Sequence, residues 1–298
     1  MNNNAPVVRS AQLPVPGRPV TTGRPMGEIL VDAGRISAPE VEQILRFQQE
    51  HGLRFGESGR ALGLLTDDDV RFALSLQFDY PYLAPESELS HELVAAFRPQ
   101  SRTVEQLRSL RSQLMLRWFS IGTGHKGLTI VSPGAREGRS YLAANLAIVF
   151  SQMGERTLVV DADMRAPRQH LLFGLGPRAG LSDVLAGRAD ALSMIAEIPD
   201  LKDLAVLPAG TIPPNPQELL GRPEFSTLLE ALGETFSVMI IDTPPAGACA
   251  DAQTVAAQAG AALLVARQGA SSMPQVARLS QRLREFGVSL VGSVLNDT

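Results

Sequence analysis

A doubly wound α/β domain with a mostly parallel sheet, preceded by a small α-helical domain, is the fold class this 298-residue sequence predicts. Three observations carry that expectation. An apolar run over 128–131 feeds a loop of small and charged residues over 132–140, behind which a long apolar helix opens. Two further apolar runs end in carboxylates: 157–160 leads into Asp161-Ala162-Asp163, and 238–241 into Asp242-Thr243-Pro244-Pro245. Ahead of them the chain repeats itself at an offset of 29 residues.

The elements follow in chain order. Residues 1–22 are rich in Asn, Pro, Thr and Val without periodicity and read as a disordered tail. Over 23–86, Gly27, Gly34, Ile36, Ser37, Val41, Leu45 and Gln48 recur as Gly56, Gly63, Leu65, Thr66, Val70, Leu74 and Gln77. Each copy reads as a short helix, a glycine turn, an N-cap (Ser37 or Thr66) and a second helix with apolar spacing. Residues 87–125 are expected to link the domains and to contain an amphipathic helix over 104–119. From 126 to 298, strands at 128–131, 157–160, 204–207, 238–241, 261–265 and 289–294 alternate with helices at 140–153, near 181–186 and 191–196, and at 216–232, 251–258 and 273–286. The strands are continuous apolar runs, as parallel strands covered on both faces require.

The loop Ser132-Pro133-Gly134-Ala135-Arg136-Glu137-Gly138-Arg139-Ser140 sits where a phosphate-binding loop would. Small residues there let backbone N–H groups converge on an anion at a helix N-terminus. It departs from G-x-x-x-x-G-K-[ST] twice, with Pro133 for the first glycine and Arg139 for the lysine. Alone, such a loop reads equally well as a glycine turn with no ligand. Joined to two carboxylate-ending strands, it is the hardware of Mg–nucleotide chemistry.

Composition excludes other classes. A formal charge of −4 leaves no electrostatic footprint for nucleic acid. A single cysteine, Cys249, rules out an internal disulfide and fits a reducing compartment. His51, His91, His125 and His170 have no metal-ligand spacing. With no signal-type N-terminus and no run of about eighteen apolar residues, the expectation is a cytoplasmic protein, peripheral at the inner membrane through a partner.

The segment 105–111 (Glu-Gln-Leu-Arg-Ser-Leu-Arg), the loop 132–140, Asp161-Ala162-Asp163-Met164-Arg165, 180–185 (Gly-Leu-Ser-Asp-Val-Leu), 213–220 (Pro-Pro-Asn-Pro-Gln-Glu-Leu-Leu) and Asp242-Thr243-Pro244-Pro245 together resemble the bacterial tyrosine kinases of exopolysaccharide synthesis. Within that family the repeat module and the loop arginine are similar to the chain-length-determinant kinases of the EpsG type. The resemblance implies a P-loop NTPase fold, ATP and Mg²⁺ as cofactors, and a protein-tyrosine (auto)kinase regulating polymer length and export. It places phosphate binding on Gly134, Ala135, Arg136, Glu137, Gly138, Arg139, Ser140 and Tyr141, and an adenine contact on Asn296. Ser140, Asp161 and Asp242 would serve the metal. Arg139, Asp161, Asp163 and Asp242 would be the catalytic set, with Asp163 near the incoming tyrosine hydroxyl. Glu105, Arg108 and Arg111 would join subunits of a homo-oligomer, and the cytosolic end of a membrane chain-length protein would activate the chain.

Two departures qualify that picture. Arg139 presents a planar fork where a point charge is usual. The family's C-terminal tyrosine cluster is absent, the only tyrosines being Tyr80, Tyr82 and Tyr141, so the phosphorylated tyrosine is expected on another protein or at Tyr80 and Tyr82. The alternative is an ATP-dependent switch like the partition and septum-positioning ATPases, against which Gly134 stands where those proteins carry a signature lysine. The N-terminal repeat resembles the N-terminal domain of secretion and pilus-assembly ATPases, some of which bind cyclic di-GMP through paired motifs at this same offset. Here only the second copy opens with Arg54-Phe55-Gly56, and Ser58, Gly59 and Arg60 replace apolar residues. A protein-docking module is therefore favoured over a cyclic di-GMP site.

Overall fold

The computed structural model describes residues 24–77, 87–119, 124 and 126–297. The tail over 1–22, Tyr80, Tyr82 and His125 lie outside them. The chain divides into two compact units, residues 1–80 and 81–298.

In the first unit, α1 (Met26–Asp32) and α2 (Ala38–His51) are followed by α3 (Phe55–Ala61) and α4 (Asp67–Gln77). The repeat is physical. Ser37 and Thr66 stand before α2 and α4, and each receives the matching carboxylate three residues on: Ser37 N donates to Glu40 Oε2 at 2.7 Å and Thr66 N to Asp69 Oδ2 at 2.9 Å. Gly34 and Gly63 turn the chain at φ +68° and +70°, the left-handed region that glycine tolerates. Ile29, Leu30, Ile36, Ile44, Leu65 and Ala73 form the core. The apolar residues lost from the second copy leave marks. The Ser58 hydroxyl is buried without a partner, Gly59 lies under Leu65 and Ile44, and Arg60 turns out to Asp67 at 2.5 Å.

In the second unit, the short α5 (Val94–Phe97) and the long α6 (Arg102–Arg117) precede the sheet. α6 starts two residues earlier than its periodicity predicts, because the Ser101 hydroxyl accepts from Val104 N at 3.3 Å and caps it. β1 (Gly127–Val131), α7 (Arg139–Ser151), β2 (Thr157–Asp161), α8 (Gln169–Leu172), α9 (Leu181–Leu185), α10 (Ala191–Met194), β3 (Ala196–Glu197), β4 (Leu204–Leu207), α11 (Pro216–Leu220), α12 (Pro223–Gly233), β5 (Val238–Asp242), α13 (Asp251–Ala259), β6 (Ala261–Arg267), α14 (Met273–Glu285) and β7 (Ser289–Asn296) follow. The sheet order is β3-β4-β2-β5-β1-β6-β7, and every pairing is parallel except that of β3 with β4.

Two local expectations change. The helix predicted over 216–232 is two helices, because Pro223 has no N–H to give and holds Arg222 extended at ψ 150°. The two-residue edge strand β3 carries no sequence signal. The pre-sheet segment packs as part of this unit. Asn145, fully buried on α7, donates to Glu92 O and accepts from Ala95 N, both at 2.9 Å, while Trp118 Nε1 donates to Gly127 O at 2.8 Å.

Candidate functional site

Sequence places the two carboxylates about eighty residues apart; the sheet puts them side by side. β2 and β5 pair in register so that Asp161 lies opposite Asp242, and Ile130 of β1 lies opposite Asp242 on the other side. Three central strands therefore deliver the loop and both carboxylates to one carboxyl edge, the usual ligand crevice of a doubly wound sheet.

The loop is built to a defined shape. Gly138, at φ +97°, precedes the first turn of α7, whose N–H groups receive no side-chain cap, and Arg136 is also left-handed at φ +58°. The buried Glu137 carboxylate accepts from Gly134 N at 2.7 Å and from the Ser271 hydroxyl. A Cβ on Gly134 would lie 3.0 Å from Glu137 Oε1, so a larger residue there would push on the carboxylate that Gly134 N holds. Ala246 N and Gly247 N donate to Ser132 O and Pro133 O at 2.9 and 3.0 Å, tying the loop to the segment after β5.

Arg139 points elsewhere than a phosphate-gripping residue is expected to. Its Nε donates to Thr243 O at 2.8 Å, and its Nη1 donates to Gly134 O at 2.7 Å and to the Ser132 hydroxyl. Arg139 is buried, and its guanidinium forms the floor beneath the loop.

The carboxylates differ in what they hold. Asp161 Oδ1 accepts from Asp163 N at 3.2 Å, and Oδ2 accepts from Arg168 N at 3.1 Å and Gln169 N at 2.9 Å. It fastens the segment that follows β2. Asp242 Oδ2 accepts from Gln169 Nε2 at 2.8 Å, whereas Oδ1 is buried without a hydrogen-bond partner. A buried acceptor left so costs about 1–3 kcal/mol. Burial pushes both carboxyls above the ordinary range; the neighbouring Asp242 charge raises Asp161 further, and the Ser140 hydroxyl and the Gln169 amide pull Asp242 part of the way back. Asp163 Oδ1 accepts from Ala166 N at 2.9 Å. An unpartnered carboxylate oxygen beside a serine and a second carboxylate is an all-oxygen donor set of the kind Mg²⁺ takes with phosphate and water. The residues present fit the ion.

Asn296 ends β7 against the loop, its Nδ2 donating to Glu137 O at 3.3 Å. With Gly138, Tyr141, Leu107 and Leu110 it lines a cavity of about 400 Å³, large enough for a nucleoside. α6 is thus one wall of that cavity. On the same helix Glu105 and Arg108 pair at 2.9 Å, while Arg111 Nη1 donates to Val149 O of α7 at 2.7 Å, so Arg111 fastens α6 to its own chain. Beyond the predicted set, the structure adds Gln169, which bonds both strand-end carboxylates, and Arg165, whose guanidinium forks onto buried Asp251 at 2.8 and 3.2 Å. Arg165 closes the Asp161-Ala162-Asp163-Met164-Arg165 motif without its partner being legible there, and Gln169 sits in no local pattern that periodicity or motif spacing detects. Burial raises the Cys249 thiol.

No protein-family model matches the chain. It is similar to the tyrosine-protein kinase wzc of Salmonella typhimurium, 35% identical over 205 residues, which are 69% of this chain and 28% of that protein. With the tyrosine-protein kinase YwqD of Bacillus subtilis it shares 34% identity over 210 residues, 70% of this chain and 87% of the other. The solved kinase domain of Escherichia coli tyrosine kinase ETK matches with a TM-score of 0.67 at 32% identity, covering 72% of this chain and 83% of that domain. The α/β fold is of P-loop NTPase type. Among the described residues no helix is long and apolar enough to cross a membrane.

Proposed function

The chain belongs to the bacterial tyrosine-protein kinases, and from that premise we propose that it transfers the γ-phosphoryl group of Mg-ATP to protein tyrosine and thereby regulates exopolysaccharide chain length and export. The observation that carries this reading is the pairing of Asp161 with Asp242 at the mouth of the loop, with one buried Asp242 oxygen left unpartnered. The backbone of 134–140 and the first turn of α7 bind the phosphates, and the cavity beside Asn296 takes the nucleoside. Ser140 and Asp242 hold Mg²⁺, with Asp161 bracing the shell; when bound, the ion neutralises charge on the phosphate oxygens. The tyrosine oxygen bonds to the γ-phosphorus as the bond to the β–γ bridging oxygen breaks. ADP departs, and the hydroxyl proton passes to the Asp163 carboxylate.

Mass-spectrometric phosphosite mapping after incubation with Mg-ATP tests the transfer, run with and without the cytosolic end of the membrane chain-length protein. Phosphotyrosine that rises with the partner is expected. Nucleotide binding with no phosphotyrosine in either condition would replace the kinase with a nucleotide switch. One feature favours that second reading: the Arg139 guanidinium is already occupied by two loop acceptors and by Thr243 O after β5.

Assembly follows from α6. Glu105, with its side chain 72% exposed, faces outward and pairs with the half-buried Arg108, whereas Arg111 is committed to Val149 O. Joint replacement of Glu105 and Arg108 by alanine is expected to shift sedimentation toward the monomer with little change in melting temperature. An unaltered oligomer would remove α6 from the subunit contact.

A further inference from the structure

Gln169 opens the short α8 and is fully buried. Its backbone N–H donates to Asp161 Oδ2 at 2.9 Å, and its side-chain Nε2 donates to Asp242 Oδ2 at 2.8 Å and to Ser140 O at 3.2 Å. A single residue thus binds both strand-end carboxylates and the first turn of α7. Facing carboxylates repel, and an arginine or lysine between them would relieve the repulsion by cancelling the charge a cation needs. The arginines around the site are engaged elsewhere: Arg139 with Thr243 O, Arg165 with Asp251 and Arg168 with Glu92. An amide instead supplies N–H donors and no charge.

The amide's orientation is also determined. Rotated by half a turn it would set Oε1 against Asp242 Oδ2, acceptor against acceptor, so the nitrogen must face the carboxylate. In that orientation Gln169 Oε1 and Asp242 Oδ1 are both buried and both unpartnered. Two buried acceptors with no hydrogen-bond donor, on side chains that also meet Ser140, suit a cation and its water.

We propose that Gln169 is the positioning residue of the metal site: by holding Asp242 Oδ2 it turns Oδ1 toward the magnesium shell, and its own Oε1 accepts from a water of that shell. The inference rests on the nucleotide-binding reading above. Outer-shell partners of this kind change metal affinity by about 10- to 100-fold.

The test is calorimetric titration of the full chain with ADP, once with excess Mg²⁺ and once with EDTA. Gln169→Met keeps the length and loses the donor. It is expected to weaken ADP binding about tenfold or more in Mg²⁺ and to leave binding in EDTA within about twofold of wild type. Gln169→Asn keeps the amide but shortens its reach, and is expected to lower the Mg²⁺-to-EDTA affinity ratio likewise. If Gln169→Met does not fold by near-ultraviolet circular dichroism, the asparagine variant decides on the same ratio. An unchanged ratio in a folded variant, or equal losses in both conditions, would overturn the positioning role while leaving nucleotide binding intact. A wild-type chain whose ADP affinity ignores Mg²⁺ would overturn the metal site and the role of Gln169 with it, and one that binds no ADP in either condition would overturn the nucleotide reading itself.

Discussion

Asp242→Asn is expected to lower phosphotyrosine formation by at least about a hundredfold at saturating Mg-ATP and at the same time to raise the melting temperature of the nucleotide-free protein. The rate falls because the Asp242 carboxylate, whose Oδ1 is buried without a hydrogen-bond partner, loses its charge. The melting temperature rises because that charge is buried beside Asp161, and burial and repulsion hold both carboxyls above the ordinary range. A raised folded-state value means the folded protein keeps its proton where the unfolded chain has lost it. That stability is complete below the ordinary carboxylate range and is lost as pH rises through the folded-state value. The asparagine variant lacks this decline, so its advantage is greatest at neutral pH and shrinks toward about pH 4. A gain of about 0.5–2 kcal/mol, or a few degrees, is the scale for relieving a strained functional site. Kinase assays and scanning calorimetry at several pH values measure both halves. Wild-type activity in the variant would remove Asp242 from the metal site, and a lower melting temperature would mean the carboxylate is structurally required.

Arg139→Ala has the second largest expected effect. Removing the guanidinium deprives Thr243 O and the Ser132 hydroxyl of this donor and leaves Gly134 O with the Ser132 hydroxyl, at a cost of about 1–3 kcal/mol. It also takes from the loop the cation at the start of α7, leaving Arg136 as the loop's other one, and a rate loss on the order of a hundredfold is expected. Arg139→Lys separates the two roles. It keeps the charge but offers a single nitrogen where the planar fork meets several acceptors, so turnover within about tenfold of wild type is expected, with intermediate stability. Thermal melts with steady-state kinetics on both variants measure this. If the alanine variant turned over at the wild-type rate, the arginine would be a strut under the loop and nothing more.

Much of the fold was legible because the signals are local. Continuous apolar runs marked the central strands, and small residues between 128–131 and the long apolar helix marked the loop. The 29-residue offset carried the helical repeat down to its caps, since Ser37 and Thr66 act within one turn of their own helices. Pattern and structure part where Pro223 interrupts the expected helix over 216–232, and where the two-residue β3 is too short to carry a local signal.

By itself, then, the sequence determined the fold class, the loop, and the carboxylates that end the strands, because each follows from a short-range pattern of burial and backbone freedom. Tertiary structure alone decided how they are used. The register of β2 on β5 sets Asp161 beside Asp242. Arg139 reaches a carbonyl 104 positions away, and Gln169 a carboxylate 73 positions away. The physical reason is that a hydrogen-bonding side chain has several possible acceptors in a sequence, and only the packed sheet removes all but those within 3 Å or so.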